Sequence, residues 1–247
     1  MAKGTKSGGK ATSGGKQIKG ARDLTVRVKS ARGRKPSSTK WLQRQLNDPY
    51  VLAAQREGYR SRAAFKLLEI DDKLHFLKPG RCVVDLGATP GGWSQVASRR
   101  IRTEHGGGHL VAIDINHMEP VAGAHFLQVD FMDDEAPGQI RDLLGDKGVD
   151  VVLSDMAAPS TGHKQTDHLR IMGLCELALD FAREILNPGG VFVAKVLAGG
   201  TEHTLLADMK RDFKTVKHVK PKASRADSAE MYVVASGYRG TTQSQTD

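Results

Sequence analysis

Apolar residues along this chain fall into two recurrent patterns. Short continuous apolar runs alternate with longer stretches in which apolar residues recur every three or four positions. The first pattern reads as strands buried on both faces, the second as amphipathic helices. The runs at 82–86, 109–113, 124–129, 149–153 and 191–196 are predicted strands, followed by 215–219 and 231–236. Helical spacing is predicted over 61 to about 74 with Ser61 as N-cap, over 92 to about 102, over about 167–186, and near 201–213. Asn187-Pro188-Gly189-Gly190 reads as a turn. Upstream, Ser37-Ser38-Thr39 can cap a helix carrying Trp41, Leu42 and Leu46 on one face; Asp48-Pro49 interrupts it, and helical spacing resumes over 50–56. The alternation predicts an α/β fold with a mostly parallel sheet of seven strands and helices on both faces.

In such sheets ligands sit at the carboxyl ends of strands, near the switch point. Asp85, Asp114, Asp130, Ser154 and Asp155 all stand at predicted strand ends. The segment from Asp85 through Gly87, Gly91 and Gly92 to Trp93 follows the first strand and opens a helix. It is not a dinucleotide fingerprint, because Thr89 stands where the second glycine is needed, and no Gly-Lys-Ser/Thr follows to make a phosphate-binding P-loop. A loop that brings backbone close to a ligand without a phosphate cradle, joined to Asp114 as acceptor for ribose hydroxyls, suits a nucleoside cofactor such as S-adenosylmethionine.

Charge separates the chain into two parts. Residues 1–38 hold seven Lys and four Arg against Asp23 alone, whereas the whole chain of 247 residues carries +9, so the remainder is close to neutral. The segment is Gly-rich, with almost no large apolar residues, and is expected to be disordered over 1–37; a single folded domain at 38–240 and a short disordered tail at 241–247 follow. A strongly basic arm favours a polyanion such as nucleic acid, or serves only as a solubilising tail. Cys82 and Cys175 are too few for a disulfide scaffold and suit a reducing cytoplasm. No apolar run approaches the roughly 20 residues that span a bilayer, and the nine histidines show no paired ligand spacing, so neither membrane nor metal is expected.

Four candidates for chemistry remain ambiguous as single residues. Lys195 lies inside an apolar strand run, where an unpaired ammonium is costly; it is either a functional amine or a strand-end lysine reaching solvent. Asp155 follows a strand and is either a crevice acid or a helix cap. Lys66, between Phe65 and Leu67, and Glu230, before the last strand, read by themselves as solvated.

The stretch Val84-Asp85-Leu86-Gly87-Ala88-Thr89-Pro90-Gly91-Gly92-Trp93-Ser94-Gln95 closely resembles the cofactor loop of the FtsJ/RrmJ family of S-adenosylmethionine-dependent 2′-O-ribose methyltransferases, whose bacterial type acts on a uridine of large-subunit (23S) ribosomal RNA. The resemblance runs from about 38 to 237. It includes Ser61-Arg62-Ala63-Ala64-Phe65-Lys66-Leu67, Ser154-Asp155-Met156-Ala157, Phe192-Val193-Ala194-Lys195-Val196 and Ser224-Arg225-Ala226-Asp227-Ser228-Ala229-Glu230-Met231-Tyr232. It implies a Rossmann-like methyltransferase fold and a Lys-Asp-Lys-Glu tetrad at Lys66, Asp155, Lys195 and Glu230. Lys195 is then the candidate base, Lys66 a source of positive charge, and the two acids orient the amines. By the same resemblance Gly91, Gly92, Trp93, Asp114, Asp130 and Asp155 line the cofactor site, beside Asp85 and Gly87 of the loop. S-adenosylhomocysteine would be the product.

The chain departs from the family pattern: the segment Arg99–Gly108 and the basic arm are longer than usual, and two motifs differ in sequence. Thr89 replaces an alanine, and Asp155-Met156-Ala157-Ala158-Pro159-Ser160 displaces the proline and lacks the asparagine of Asp-Met-Ala-Pro-Asn. Arg56, Arg60 and Arg62, and the run Lys210, Arg211, Lys214, Lys217, Lys220, Lys222 and Arg225, are candidates to track phosphates or are solvated faces. The expected partner is large-subunit ribosomal RNA or the 50S subunit, and the expected state a cytoplasmic monomer. The alternatives are a same-fold methyltransferase for another RNA, a protein or a small molecule, and a non-catalytic RNA-binding assembly factor.

Overall fold

The computed structural model describes residues 36–199 and 203–240. The expected arm up to 35, the tail 241–247, the expected helix start at Thr201 and the side chains of Ser37 and Trp41 lie outside the described residues. The chain divides into two compact units, 1–49 and 50–247. In the first, α1 (Pro36–Leu46) begins at a proline, a residue suited to a first helical turn, just inside the segment expected to be arm. Asn47 closes it by donating its side-chain amide to the Gln43 carbonyl at 2.7 Å. At the boundary α2 (Pro49–Glu57) starts, where Asp48-Pro49 predicts the interruption.

The order then continues α3 (Ala63–Leu74), β1 (Cys82–Leu86), α4 (Gly92–Ile101), β2 (His109–Asp114), β3 (Ala124–Gln128), α5 (Ala136–Leu144), β4 (Val149–Ser154), α6 (Lys164–Ile185), β5 (Leu186–Leu197), α7 (His203–Asp212), β6 (Phe213–Val219) and β7 (Glu230–Tyr238). The seven strands form one sheet in the order β3-β2-β1-β4-β5-β7-β6. β1 to β5 pair in parallel, and β7 runs antiparallel to both of its neighbours. The chain leaves β1 for β2 and β3 on one side, then returns to β4 on the other. The order therefore reverses between β1 and β4, and their carboxyl ends frame the crevice.

Strand alternation divides the core between two faces. Val84, Val152, Phe192 and Ala194 pack against Ile140 and Leu144 of α5, Ala178 and Leu179 of α6, and Leu205 and Met209 of α7. Val83, Val151, Leu153, Val193 and Val234 face Leu67 and Ile70 of α3 and Trp93 and Val96 of α4.

Three local differences from the sequence reading have identifiable causes. Ser61 does not cap α3: the helix starts at Ala63 with Arg62 at the cap, and no side chain bonds there. The Ser61 hydroxyl instead lies where α4 crosses, and a Cβ on Gly92 would stand 2.5 Å from it. Asn187–Gly190 is not a separate turn but an irregularity within β5, because Leu186 and Val191 both pair with β4 across a register shift. Finally, α5 fills the gap before β4 with Ala136, Ile140 and Leu144 on one buried face.

Candidate active site

The crevice is built by chain segments that touch at backbone level. Gly87, at φ +77°, ends β1, and a Cβ there would lie 2.8 Å from the Met156 Cα and N. Only glycine admits this approach. The Gly87 and Ala88 amides donate to the Ile113 carbonyl at 2.9 and 3.0 Å, and the Asp155 amide donates to the Leu86 carbonyl at 3.1 Å. The ends of β1, β2 and β4 are thereby fastened to one another.

Beneath this knot Asp85 is fully buried. Its Oδ2 accepts from Ser94 Oγ at 2.6 Å, while Oδ1 has no hydrogen-bond partner. Burial pushes the carboxyl up to about 7, Ser94 opposes the rise, and the charges of Asp155 and Asp114 add to it.

A cleft of about 970 Å³ opens above. Gly87, Asp114, Asp130, Asp155 and Lys195 line it, together with Ile115, Met132, Met156 and the α6 residues Arg170, Leu174 and Leu177. Asp114 Oδ2 accepts from the Thr89 amide at 2.9 Å, and Oδ1 from the Asn116 amide and side chain at 2.8 and 3.1 Å. Asp130 accepts from the Met132 amide at 3.0 Å. A carboxylate offers about four acceptor positions, so both retain capacity for ligand hydroxyls or amines. Gly91, Gly92, Trp93 and Asp85 are not among the residues that line this cleft. Gly91, at φ +107°, caps α4 beside Arg60, and Gly92 meets α3. Trp93 is 3% exposed, and its indole N–H donates to the Ala63 carbonyl at 2.9 Å. These residues join α3 to α4.

The four expected tetrad residues converge from four segments; Asp155 and Lys195 line the cleft, whereas Lys66 and Glu230 are not among its lining residues. Lys66 comes from α3, Asp155 from the turn after β4, Lys195 from β5 and Glu230 from the start of β7. Lys66 Nζ pairs with Glu230 Oε1 at 2.7 Å. Lys195 Nζ pairs with Asp155 Oδ1 at 2.8 Å and donates to the Asp155 carbonyl at 2.7 Å. Antiparallel register sets Tyr232 directly opposite Lys195, and Glu230 opposite Leu197. The Tyr232 hydroxyl lies 2.7 Å from Asp155 Oδ1, 3.3 Å from Glu230 Oε1 and 3.2 Å from Lys66 Nζ. Ser224 Oγ donates to Glu230 Oε1 at 2.9 Å. Burial alone would raise Asp155, but Lys195, Lys66 and the hydrogen bonds from Lys195 and Tyr232 outweigh it and hold the carboxyl below its ordinary value. Tyr232 and Ser224 are members of the site that carry no role in the sequence reading. For Tyr232 the available signal is its spacing: two residues from Glu230 on a strand puts both on one face.

The basic groups divide. The Arg60 guanidinium donates to the carbonyls of Glu119 at 2.5 Å and Pro120 at 2.6 Å, and Arg62 to that of Ala223 while lying over the Tyr50 ring. Both arginines therefore tie loops together. Lys220 donates to the Ala226 and Ser228 carbonyls. Lys214 and Lys217 remain exposed on β6, the edge strand, where lysines also oppose unwanted strand pairing. Among the described residues no group of three or more His, Cys, Asp or Glu could hold a metal ion, and no helix is long and apolar enough to cross a membrane.

Several known proteins are similar to this chain in sequence or fold. Residues 59–238 match the model of the FtsJ-like methyltransferase family. The ribosomal RNA large subunit methyltransferase E of Parvibaculum lavamentivorans is 62% identical over 98% of this chain and 97% of its own length. Its counterpart in Paramagnetospirillum magneticum is 58% identical over 98% of this chain and 100% of its own. A crystal structure assigned as a ribosomal RNA methyltransferase from Plasmodium falciparum superposes with a TM-score of 0.65 at 33% identity, covering 74% of this chain and 100% of that one.

Proposed function

The chain belongs to the FtsJ-like methyltransferase family, and from that premise we propose that it transfers a methyl group from S-adenosylmethionine to the ribose 2′-hydroxyl of a uridine in large-subunit ribosomal RNA, on the assembled 50S subunit. The observation that carries this reading is the convergence of two lysine–carboxylate pairs: Asp155 and Lys195 line a cleft together with Asp114 and Asp130, and the Lys66–Glu230 pair meets Asp155 through Tyr232. A methyltransferase for small acceptors has no evident need of two lysines there. The reading includes a cytoplasmic monomer, with the basic arm 1–37 as an aid to RNA capture.

The cleft fits the cofactor. Asp114 has acceptor capacity left for ribose hydroxyls, Asp130 for an adenine amine, and Ile115 and Met132 offer exposed apolar surface beside them. When bound, the cofactor supplies a methyl group activated on a sulfonium.

The protein's own residues prepare the acceptor. A neutral lysine amine has two N–H bonds and one lone pair. In that form Lys195 can donate both N–H bonds to Asp155, at Oδ1 and at the backbone carbonyl, and keep its lone pair for the acceptor hydroxyl. That lone pair takes the 2′-hydroxyl proton as the oxygen attacks. Lys66 holds positive charge where alkoxide character develops, and Glu230 orients Lys66. General base catalysis is worth about 10²–10⁴-fold. Alignment contributes up to about 7–11 kcal/mol and is the larger effect for an already activated methyl group.

The test is methyl transfer from labelled S-adenosylmethionine to large subunits from cells lacking this protein, with free ribosomal RNA and Lys195→Ala protein alongside. Label on a uridine 2′-oxygen of the subunit, absent with the variant, is expected. Cofactor binding with no label on either form of RNA would overturn the reading.

A further inference from the structure

We propose that the Tyr232 hydroxyl is a positioning group for the transfer, joining the Lys66–Glu230 pair to the Asp155–Lys195 pair so that Lys195 is held in one orientation. The inference rests on the 2′-O-methylation reading and adds one residue to its machinery.

Two carboxylates compete for the single phenolic proton. Asp155 Oδ1 lies at 2.7 Å and Glu230 Oε1 at 3.3 Å. Glu230 Oε1 is already supplied by Lys66 at 2.7 Å and Ser224 at 2.9 Å. The shorter bond and the greater need both assign the proton to Asp155. The phenolic oxygen is then an acceptor for Lys66 at 3.2 Å. The result is one directed chain: Lys66 donates to Tyr232, Tyr232 to Asp155, and Lys195 to that same Asp155 oxygen.

Among the described residues, every charged group against the hydroxyl belongs to this hydrogen-bonded chain or to its end. Lys66 faces it from α3, Asp155 from the turn after β4, Lys195 from β5 through Asp155, and Glu230 from its own strand. The phenol keeps its proton here, since burial and the two carboxylates raise its proton affinity well above the ordinary value. It therefore acts by holding Asp155, which meets Lys195 through both a side-chain and a backbone oxygen. The ring contributes separately, because it is fully buried and packs 5.4 Å from the Trp93 ring. Tyr232→Phe keeps that packing and removes only the link.

The experiment measures single-turnover transfer to large subunits across pH for wild type and Tyr232→Phe, with cofactor affinity by calorimetry and thermal melting on the same preparations. The expected result is a rate about 10- to 100-fold lower, as misplacement of a reacting group produces. Cofactor Kd, subunit KM and melting temperature stay close to wild type. The acid limb of the rate–pH profile moves to higher pH, because an Asp155 that has lost a donor holds the Lys195 ammonium more tightly. A wild-type rate and profile in the variant would overturn the proposal, as would a loss wholly explained by weaker cofactor binding.

Should Tyr232→Phe fail to fold, 3-fluorotyrosine at 232 keeps shape and hydroxyl but donates more strongly. It is expected to move the acid limb to lower pH, and an unmoved profile overturns the proposal. Failure of wild type itself to label a ribose oxygen would instead sink the functional reading.

Discussion

Two clusters of charge stand at opposite ends of β7, and their ingredients are nearly the same. At its start, two lysines and two carboxylates meet around Tyr232. At its end, Arg183 meets Asp180 at 2.5 Å, Asp212 at 2.7 Å and Asp208 at 3.4 Å, with Arg211 on Asp208 and Asp212 and the Tyr238 hydroxyl on the Arg183 carbonyl. The difference lies in cation type and place. The first cluster uses lysines, which can lose a proton, and lies on a cleft wall beyond the carboxyl ends of parallel strands. The second uses arginines, which keep their protons, and joins α6, α7 and β7 at the far end of the sheet. A count of ion pairs would rate the clusters alike; the proposed chemistry calls for the one with an exchangeable proton and a cavity beside it.

The sharpest way to break this comparison is to exchange cations. Lys195→Ala is expected to lower turnover by at least about 10²–10⁴-fold with cofactor Kd changed only a few-fold. Lys195→Arg should lose nearly as much, since a guanidinium cannot accept the proton. Arg183→Lys should leave turnover unchanged. Full activity in Lys195→Arg would reduce the tetrad to a fixed field and erase the distinction.

Asp85 sharpens the contrast as a buried acid without a cation. Its carboxyl is raised from the ordinary range to about 7, so the folded state binds the extra proton between roughly pH 4 and 7. Wild-type stability from this group is complete below about pH 4, falls as pH rises to 7, and is flat above. Asp85→Asn cannot ionise. The difference in unfolding free energy between the two proteins should therefore shift in favour of the variant across that window, by up to about 4 kcal/mol. A difference constant from pH 4 to 8 would refute the assignment.

Arg183→Ala addresses the second cluster directly. It leaves Asp212 partly buried beside one remaining arginine and should cost about 1–2 kcal/mol, lowering Tm by roughly 2–8 °C. Turnover of the folded protein at lower temperature should not change. The smallest effect is on acid stability. Burial would raise Asp212, but its bonds to Arg211 and Arg183 outweigh that and hold the carboxyl low. Its contribution is present above about pH 4 and is lost as pH falls through the lowered value. The stability gap between wild type and Asp212→Asn should close in that acid range, and a gap unchanged down to pH 2 would count against the pairing.

What can be read from the sequence follows from which signals are local. Buried parallel strands carry continuous apolar runs, so β1, β2 and β4 lie within a residue of the patterns that predict them. Lys66, Asp155, Lys195 and Glu230 are picked out only through the family resemblance, whose motifs are short and keep their order. By contrast α5 is hidden: Pro137 and Gly138 stand in its first turn, and only Ala136, Ile140 and Leu144 mark its buried face. The fates of Ser61, Arg60 and Arg62 are set by Gly92, Glu119, Pro120 and Ala223, partners far along the chain that no local pattern announces. Tyr232 is visible inside a motif, yet its importance depends on β7 pairing with β5 in one register.

The reversed strand also has a meaning in time. A chain emerging residue by residue presents the cofactor loop, Asp155 and Lys195 well before β7 exists. β6 also emerges before β7, and because β7 lies between β5 and β6, β6 can join the sheet only when β7 does. Until it does, Lys66 has no Glu230, and Asp155 has no phenol. Nascent or prematurely terminated chains thus hold Asp155 and Lys195 without Glu230 or Tyr232, and the four-residue cluster closes only with the final strand.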